Sequence, residues 1–221
     1  MTYLPCVEVQ TNTALAPSAA VIWLHGLGSD GHDFASLVPE LRMPKDVNVR
    51  FIFPHAPSLP VTINNGYVMP AWYDILEMSL DRKVDATQLR ASAKQVIDLI
   101  GREISNGIPS NKILVAGFSQ GGAVAYEAAL SFDKPLAGLL ALSTYFATSD
   151  SVILHEANKK IPILIQHGSE DPVVNEVLGQ RAYRHLKDLS YDVTYESYSM
   201  EHTLCAPQIV SMSRWLQERL I

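Results

Sequence analysis

Cysteine, long apolar runs and excess positive charge are all scarce in this sequence. The 221 residues include two cysteines, Cys6 and Cys205, which lie far apart and outside any CxxC or Cys/His spacing that would bind a metal. Free thiols in such small number are typical of a reducing compartment. No apolar run reaches the roughly 20 residues of a membrane-spanning helix, and the N-terminal segment lacks the basic flank and apolar core of a secretory signal. We therefore expect a cytoplasmic protein with no stable membrane insertion.

The balance of charges is acidic. The net charge is −6 at pH 7, the isoelectric point is near 5.6, and lysine and arginine are scattered without runs. A surface that neutralises phosphates needs clustered positive charge. We therefore expect no nucleic-acid partner.

Short apolar segments alternate along the chain with segments of helical spacing. After an edge strand at residues 6–10, apolar stretches predict buried strands at residues 19–24, 49–54, 113–118, 138–142, 161–166 and 193–198. Helical patterns occupy residues 32–41, 89–104, 120–129, 175–189 and 207–220. Strands that alternate with helices predict a mostly parallel sheet covered on both faces. The length and the 48% hydrophobic composition suit a single domain spanning residues 1–221.

A serine lies at the turn between one of these strands and the next helix. In the sequence GFSQG, Ser119 is flanked by Gly117 and Gly121, which are small enough to let the strand and helix backbones approach each other. This context predicts a nucleophile elbow that exposes a strained serine at the carboxyl end of the strand. The alternative is a tight turn that merely contains a serine.

A nucleophilic serine needs a histidine to accept its proton and an acid to orient that histidine. In proteins with a nucleophile elbow the three residues follow the order serine, acid, histidine. His202 lies in a loop after the last predicted strand, whereas His185 lies within a helical pattern and is expected only to pack there. Asp171, in the loop SEDPVV after a predicted strand, is the favoured acid, although Asp-Pro is also a common turn. Glu170 is the fallback.

The loop HGLGSDG at residues 25–31 fits two interpretations. Its spaced glycines match a dinucleotide-binding fingerprint, but the next strand runs FIFPHAP and lacks the acid that would hold a ribose. We favour an oxyanion hole formed by the backbone N–H groups of Leu27 and Gln120. The remaining histidines show no metal-binding spacing, so neither a metal nor a cofactor is expected.

The segment 56–81 is long, irregular and rich in proline, asparagine, glycine and aromatic residues. Stretches of this kind are usually functional or disordered, and this one is too apolar for disorder. We expect a packed loop region beside a pocket. Whether Trp72 forms a wall of that pocket or a small core beneath the loop stays open at this point.

These segments together resemble the small α/β-hydrolase carboxylesterases and acyl-protein thioesterases of the phospholipase/carboxylesterase group. The resemblance covers nearly the whole chain and follows that family's order, with HGLGSDG at 25–31, PVTINNGYVMPAWYD at 60–74, GFSQGG at 117–122, HGSEDPVV at 167–174 and MEH at 200–202. It implies an α/β-hydrolase fold without a separate lid domain, and a tendency to form homodimers.

The resemblance also assigns roles to individual residues. It implies a catalytic triad of Ser119, Asp171 and His202. It implies Leu27 and Gln120 as oxyanion donors, and an acyl groove near Trp72, beside which we also place Met69. The chain departs from the family where a glycine is usual, at Thr144 and at Glu201, and both positions adjoin the expected active face.

The expected function is that of a serine carboxylesterase. It would hydrolyse small-molecule esters or acylated substrates with short to medium acyl chains through an acyl-enzyme, and thioesters or lysophospholipids fit the same chemistry. The main alternative is a catalytically inactive α/β-hydrolase domain that serves as a binding module. An acyltransferase or a dehydrogenase is a minor alternative.

Overall fold

The structure, a computed structural model, describes residues 3–80 and 82–221. In chain order its strands are β1 (Cys6–Gln10), β2 (Ala19–Leu24), β3 (Val49–Pro54), β4 (Ser58–Val61), β5 (Tyr67–Pro70), β6 (Ile75–Glu77), β7 (Lys83–Val84), β8 (Ile113–Phe118), β9 (Gly138–Leu142), β10 (Pro162–Gly168) and β11 (Asp192–Tyr198). Its α-helices are α1 (Ala86–Ser105), α2 (Gln120–Ser131), α3 (Glu176–Asp188) and α4 (Ala206–Leu220).

A seven-stranded sheet forms the centre of the protein, in the order β1-β3-β2-β8-β9-β10-β11. Strand β1 runs antiparallel to β3 at one edge, and the other neighbours pair in parallel. This is the mostly parallel sheet expected from the alternation of strands and helices. Because parallel strands all end at the same edge, the loops that follow them meet there.

Side chains of the central strands alternate between the two faces of the sheet. Ala20, Ile22 and Leu24 of β2 face a core that also contains α1, α2 and α3. Val21 and Trp23 face a second core, covered by α4 and the 3-10 helix Ala35–Leu41. All six residues of β2 are buried, which explains why its sequence is an unbroken apolar run without polar alternation.

A side chain caps the N-terminus of α1. Helix α1 begins after Asp85, whose side chain accepts hydrogen bonds from the backbone N–H groups of Thr87 and Gln88.

Residues 32–41, expected as a helix, form only the 3-10 helix Ala35–Leu41, which contains Pro39. Proline lacks the N–H group that an α-helix interior requires. No helix within the described ranges is both long and apolar enough to cross a membrane.

The long segment between β3 and α1 is more regular than its sequence indicates. Strands β4 and β5 form an antiparallel hairpin, and β6 and β7 form a second small antiparallel pair. These strands are two to four residues long, too short to show a clear periodicity in sequence. Tyr67 and Val68 of the hairpin are exposed, whereas Trp72 and Tyr73 lie in the core.

The turn between β8 and α2 depends on glycine at two positions. A Cβ atom on Gly117 would lie 2.5 Å from the backbone oxygen of Gly121. A Cβ atom on Gly121 would lie 2.5 Å from the backbone oxygen of His25 and 2.7 Å from Cβ of Leu24. Strand, helix and the loop after β2 are therefore in backbone contact here, as the elbow interpretation requires.

Gly121→Ala is expected to destabilise the protein, because the added methyl group would clash with the backbone oxygen of His25, which cannot move unless the whole loop after β2 shifts. Gly101, within α1, is the matched control: a Cβ atom there meets nothing within 4 Å. Gly101→Ala is expected to stabilise the fold by about 0.5–1 kcal/mol, since alanine loses less backbone entropy in a helix. Thermal unfolding of both variants measures the contrast, and an unchanged melting temperature for Gly121→Ala would contradict the close-contact explanation.

Candidate active site

Ser119 lies at the sharp turn between β8 and α2. Its backbone has φ of 53° and ψ of −121°, in a region that residues with a side chain rarely adopt. Its N–H group donates to the carbonyl of Leu142 at the end of the neighbouring strand β9, at 2.9 Å. The strained backbone thus aims the hydroxyl away from the sheet and toward the loops at its carboxyl edge.

His202 reaches this hydroxyl from the loop between β11 and α4. Its Nε2 atom lies 2.9 Å from Oγ of Ser119, and its Nδ1 atom lies 2.7 Å from Oδ2 of Asp171. The ring of Phe118 packs against the imidazole with a centroid separation of 4.7 Å. The imidazole is therefore held between a hydroxyl and a carboxyl group.

Asp171 lies in the loop after β10, and its side chain is buried. Oδ1 accepts hydrogen bonds from the backbone N–H groups of Val173 (2.9 Å) and Val174 (2.8 Å). Burial acts to raise the pKa of Asp171, but the hydrogen bond to His202 and those from the two N–H groups outweigh it and lower the pKa below its ordinary value. An ionised carboxylate only accepts, so Nδ1 of His202 carries a proton and Nε2 is free to accept the proton of Ser119.

The other acid and the other histidine considered from the sequence lie elsewhere. Glu170 is exposed and accepts a hydrogen bond from Oγ of Ser199 at 2.5 Å. His185 lies on α3, with its ring edge-on to Phe146. The structure therefore brings Ser119, Asp171 and His202 together and leaves Glu170 and His185 apart from them.

The two expected oxyanion donors lie beside Ser119. Gln120 is the first residue of α2, where a backbone N–H group has no acceptor within the helix. Leu27 lies in the loop after β2, and its N–H group has no backbone acceptor among residues 3–80 and 82–221. The loop is anchored by the N–H group of Gly28, which donates to the carbonyl of Pro70 at 2.8 Å. Both donors are thus available to a substrate oxygen.

Two cavities meet at Ser119. The larger, about 620 Å³, includes His202 and is walled by Phe34 and other residues of the 26–40 segment, by Phe118 at the end of β8, and by Leu204 in the loop before α4. The smaller recess, about 50 Å³, lies on the side of Gln120 and is walled by Leu27, Ile63, Ile75, Met78, Arg82, Tyr145 and Val173. Ile63, Ile75 and Met78 belong to the 56–81 segment that the sequence predicts beside a pocket, whereas the other walls come from distant segments that only the fold brings together.

The structure corrects the expectation that Trp72 lines an acyl groove. Trp72 is 1% exposed and borders neither cavity. Its indole N–H group donates to the carbonyl of His25 at 2.9 Å, and its backbone N–H group donates to Oε1 of Gln120 at 2.9 Å. Trp72 is therefore a core residue that connects the loop after β2 to the first residue of α2. Met69 is half-buried, and its sulfur lies near Gly28 rather than in either cavity.

One group of metal-ligand side chains occurs among residues 3–80 and 82–221. Asp30, His32 and His55 have donor atoms within 4.8 Å of one another. Two of these donors are already used, since Nδ1 of His32 bonds Asp30 at 3.0 Å and Nδ1 of His55 accepts from the N–H group of Gly31 at 3.1 Å. Asp30 and His32 are exposed, and Asp30, His32 and His55 line neither of the cavities at Ser119.

Comparison with known proteins identifies the family to which the chain belongs. The family model described as phospholipase/carboxylesterase matches residues 5–220. The chain is 41% identical over 214 residues to acyl-protein thioesterase 1 of Neurospora crassa, covering 92% of this chain and 87% of that protein. It is 38% identical over 224 residues to acyl-protein thioesterase 1 of Cryptococcus neoformans, covering 93% and 94% respectively.

Solved structures agree with this placement. Arabidopsis thaliana SOBER1 is similar with a TM-score of 0.85 at 30% identity, covering 92% of this chain and 99% of that one. Zea mays acyl-protein thioesterase 2 is similar with a TM-score of 0.86 at 27% identity, covering 99% and 100%. The chain has the α/β-hydrolase fold and belongs to the phospholipase/carboxylesterase family.

Proposed function

We propose that this protein hydrolyses carboxylic esters and thioesters through an acyl-enzyme formed on Ser119. The observation that carries the proposal is the continuous hydrogen-bonded chain from Oγ of Ser119 through the imidazole of His202 to Asp171, at 2.9 Å and 2.7 Å. A serine, a base and an orienting acid in this geometry are the requirements for nucleophilic acyl transfer. Membership of the phospholipase/carboxylesterase family supports the same chemistry.

In the first half of the reaction, Oγ of Ser119 attacks the acyl carbonyl carbon while Nε2 of His202 takes the hydroxyl proton. The oxygen of the tetrahedral intermediate carries the negative charge and accepts hydrogen bonds from the N–H groups of Leu27 and Gln120. His202 then gives its proton to the departing alcohol or thiol, and the acyl group stays on Ser119. Asp171 stabilises the imidazolium that exists between these two transfers.

Water completes the reaction by the same route. Nε2 of His202 takes a proton from water, whose oxygen attacks the acyl-enzyme carbonyl. Collapse of the second intermediate releases the carboxylic acid and returns the proton to Ser119. No other group is needed to balance the protons.

The positions of the two cavities assign the two halves of the substrate. Because His202 must protonate the leaving atom, the leaving group belongs in the 620 Å³ cavity, which His202 borders. The acyl chain then belongs in the apolar recess beside Leu27 and Gln120. At about 50 Å³ this recess holds only a short acyl chain unless its walls move, which supports a preference for short to medium chains.

The nature of the leaving group remains a proposal. The large cavity has room for more than a simple alcohol, and the similar proteins from Neurospora crassa and Cryptococcus neoformans carry the name acyl-protein thioesterase 1. A thiolate leaves more easily than an alkoxide because a thiol is the stronger acid, with a pKa of about 8.5. We therefore include acylated thiols, on proteins or small molecules, among the proposed substrates.

Ser119→Ala is expected to lower kcat by about 10⁴-fold to 10⁶-fold, because the acyl-enzyme cannot form. A fluorophosphonate probe should label the wild-type protein at one serine and leave the variant unlabelled. Circular dichroism of both proteins checks that the fold is intact. A wild-type protein that is folded but neither labelled nor active would instead support the binding-module alternative.

Asp171→Asn is expected to lower kcat by about 10³-fold to 10⁴-fold, as the equivalent change does in a protease triad, because the amide cannot enforce the same imidazole tautomer. Glu170→Gln, at the adjacent position, is the matched control and should leave kcat almost unchanged. If Glu170→Gln were the more damaging substitution, the acid would be wrongly assigned.

The same variant carries a pH signature. Since the folded-state pKa of Asp171 is lowered, its carboxylate contributes stability that is present above the unfolded pKa of about 3.9 and is lost as pH falls through the folded value. The difference in melting temperature between wild type and Asp171→Asn should therefore shrink below about pH 4. A difference that stays constant with pH would contradict this account.

Met78→Ala should extend the acyl chains that the enzyme accepts, because Met78 forms a half-exposed wall of the recess. Each added methylene that becomes buried is worth up to about 0.8 kcal/mol, or roughly fourfold in kcat/KM. Leu76→Ala is the matched control, since Leu76 is similarly exposed but borders neither cavity. The measurement is kcat/KM of Met78→Ala and Leu76→Ala for nitrophenyl esters of increasing acyl length.

Trp72→Ala should behave differently from Met78→Ala. As a core substitution it should cost about 3–5 kcal/mol of stability and reduce activity at all acyl lengths alike. A selective loss of long-chain activity in Trp72→Ala, with little change in melting temperature, would restore the groove assignment.

A further inference from the structure

Each proposed oxyanion donor belongs to a peptide group whose carbonyl is held by a buried side chain. The N–H group of Gln120 shares its peptide plane with the carbonyl of Ser119, and the N–H group of Leu27 shares its plane with the carbonyl of Gly26. Because the peptide group is planar and trans, C=O and N–H point in opposite directions. A hydrogen bond that fixes the carbonyl therefore also fixes the direction of the donor.

Thr144 holds the first of these carbonyls. Its Oγ1 atom lies 2.6 Å from the carbonyl oxygen of Ser119, and since a carbonyl only accepts, the threonine hydroxyl donates. Thr144 is 1% exposed, so water does not compete for the contact. The same carbonyl also accepts from the N–H group of Gly122 at 3.0 Å.

The backbone around Thr144 is shaped to deliver this hydroxyl. Thr144 follows the end of β9, after Ser143, which has a positive φ of 44° and donates its N–H group to the carbonyl of Gln166 at 2.8 Å. A Cβ atom on Gly122 would lie 2.5 Å from Cβ, Cγ2 and Oγ1 of Thr144. The threonine side chain is therefore packed directly on the first turn of α2, which accounts for the last glycine of GFSQGG, Gly122.

His25 holds the second carbonyl. Its Nε2 atom lies 3.1 Å from the backbone N–H group of Ala56, which can only donate, so Nε2 is the acceptor and Nδ1 carries the proton. The Nδ1–H group then donates to the carbonyl of Gly26 at 2.7 Å. Burial lowers the pKa of His25 below its ordinary value, so the ring is neutral and keeps this tautomer.

We propose that Thr144 and His25 are positioning residues of the oxyanion hole, each fixing and polarising the peptide group that supplies one of its two donors. A hydrogen bond to a carbonyl strengthens the N–H donor of the same peptide, because the two dipoles polarise each other. Preorganised donors of this kind lower the activation barrier without reorganising during the reaction. The inference rests on the proposed function, and it gives Thr144 a role specific to that site.

The decisive comparison is Thr144→Val against Thr144→Ser. Valine has nearly the shape of threonine but no hydroxyl, whereas serine keeps the donor. Loss of a direct oxyanion donor costs about 10²-fold to 10³-fold in kcat, so loss of a partner that acts through the peptide should cost about 10-fold to 100-fold, with KM nearly unchanged. Thr144→Ser should recover most of that loss.

Thr148→Val is the matched control. Thr148 is also a buried threonine, 2% exposed, and its hydroxyl donates to Oε2 of Glu127 at 2.5 Å, away from Ser119. Its loss should lower the melting temperature and leave kcat unchanged. A merely structural role for Thr144 would give the same pattern as this control.

A boronic acid inhibitor supplies a second readout that does not depend on turnover. Its tetrahedral adduct with Ser119 places an oxygen where the oxyanion forms, so Thr144→Val should weaken inhibitor binding by about the same factor as it lowers kcat. His25→Asn against His25→Leu repeats the test at the second peptide, since asparagine keeps an N–H donor near the position of Nδ1. The leucine variant should lose more kcat than the asparagine variant.

The outcomes separate this inference from the proposed function. If the wild-type protein neither reacts with a fluorophosphonate nor hydrolyses esters, the proposed function fails. If the wild type is active but Thr144→Val keeps its kcat within about twofold, or Thr144→Ser is as impaired as Thr144→Val, the positioning role is overturned. Should the valine variant not fold, Thr144→Ala against Thr144→Ser makes the same comparison.

Discussion

The backbone contact between the end of β8 and the start of α2 is the constraint on which the rest of the site depends. Glycine at position 117 lets the backbones of β8 and α2 approach to a distance that no Cβ atom tolerates, and glycine at position 121 does the same for α2 and the end of β2. Ser119 between them is held at a positive φ, a conformation that costs on the order of 1–3 kcal/mol and persists only where the surroundings enforce it. Here its N–H group is bound by Leu142 and its carbonyl by Gly122 and Thr144. The same contacts that enforce the strained serine also fix the peptide that follows it.

The parallel sheet brings the other residues of the site to the turn that carries Ser119. Strands β2, β8, β9, β10 and β11 all run in the same direction, so the loops after them meet at one edge. Those loops carry, in order, the 25–31 segment, Ser119, Thr144, Asp171 and His202. Gly26 and His202, 176 positions apart in the chain, thereby line the same cavity.

Prediction from sequence succeeded where a residue's role follows from its place at a strand end. Ser119, Asp171 and His202 each follow a recognisable apolar strand, so their meeting at one edge could be inferred, while their catalytic roles stay predictions. Asp171 differs from Glu170 in a way that the sequence does not reveal: two backbone N–H groups donate hydrogen bonds to its carboxylate. The single-domain boundary, the cytoplasmic location and the homodimer likewise remain predictions.

Prediction from sequence failed where a residue's role depends on packing between distant segments. Trp72 lies in the aromatic segment predicted beside a pocket, but its ring is buried in the core, where the indole N–H group donates to the carbonyl of His25. From the sequence, Thr144 is only a departure from the glycine that is usual in the family, because no residue near it in the chain indicates contact with Gly122. Trp72 and Thr144 donate hydrogen bonds to carbonyl groups that lie 47 and 25 residues away in the chain, respectively.

The electrostatics of the site follow from the charge states of its buried titratable groups. Burial keeps His25 and His167 neutral, and hydrogen bonds keep Asp171 ionised, so each pKa is displaced away from the range in which the group would change its charge near neutral pH. The proposed oxyanion donors are neutral peptide dipoles, aligned by neutral side-chain donors. A negative charge that forms at Ser119 therefore meets fixed dipoles on one side and the imidazolium of His202 on the other. Charge is separated only while the intermediate exists, and a site arranged in this way stabilises that intermediate more than the uncharged ester that enters it.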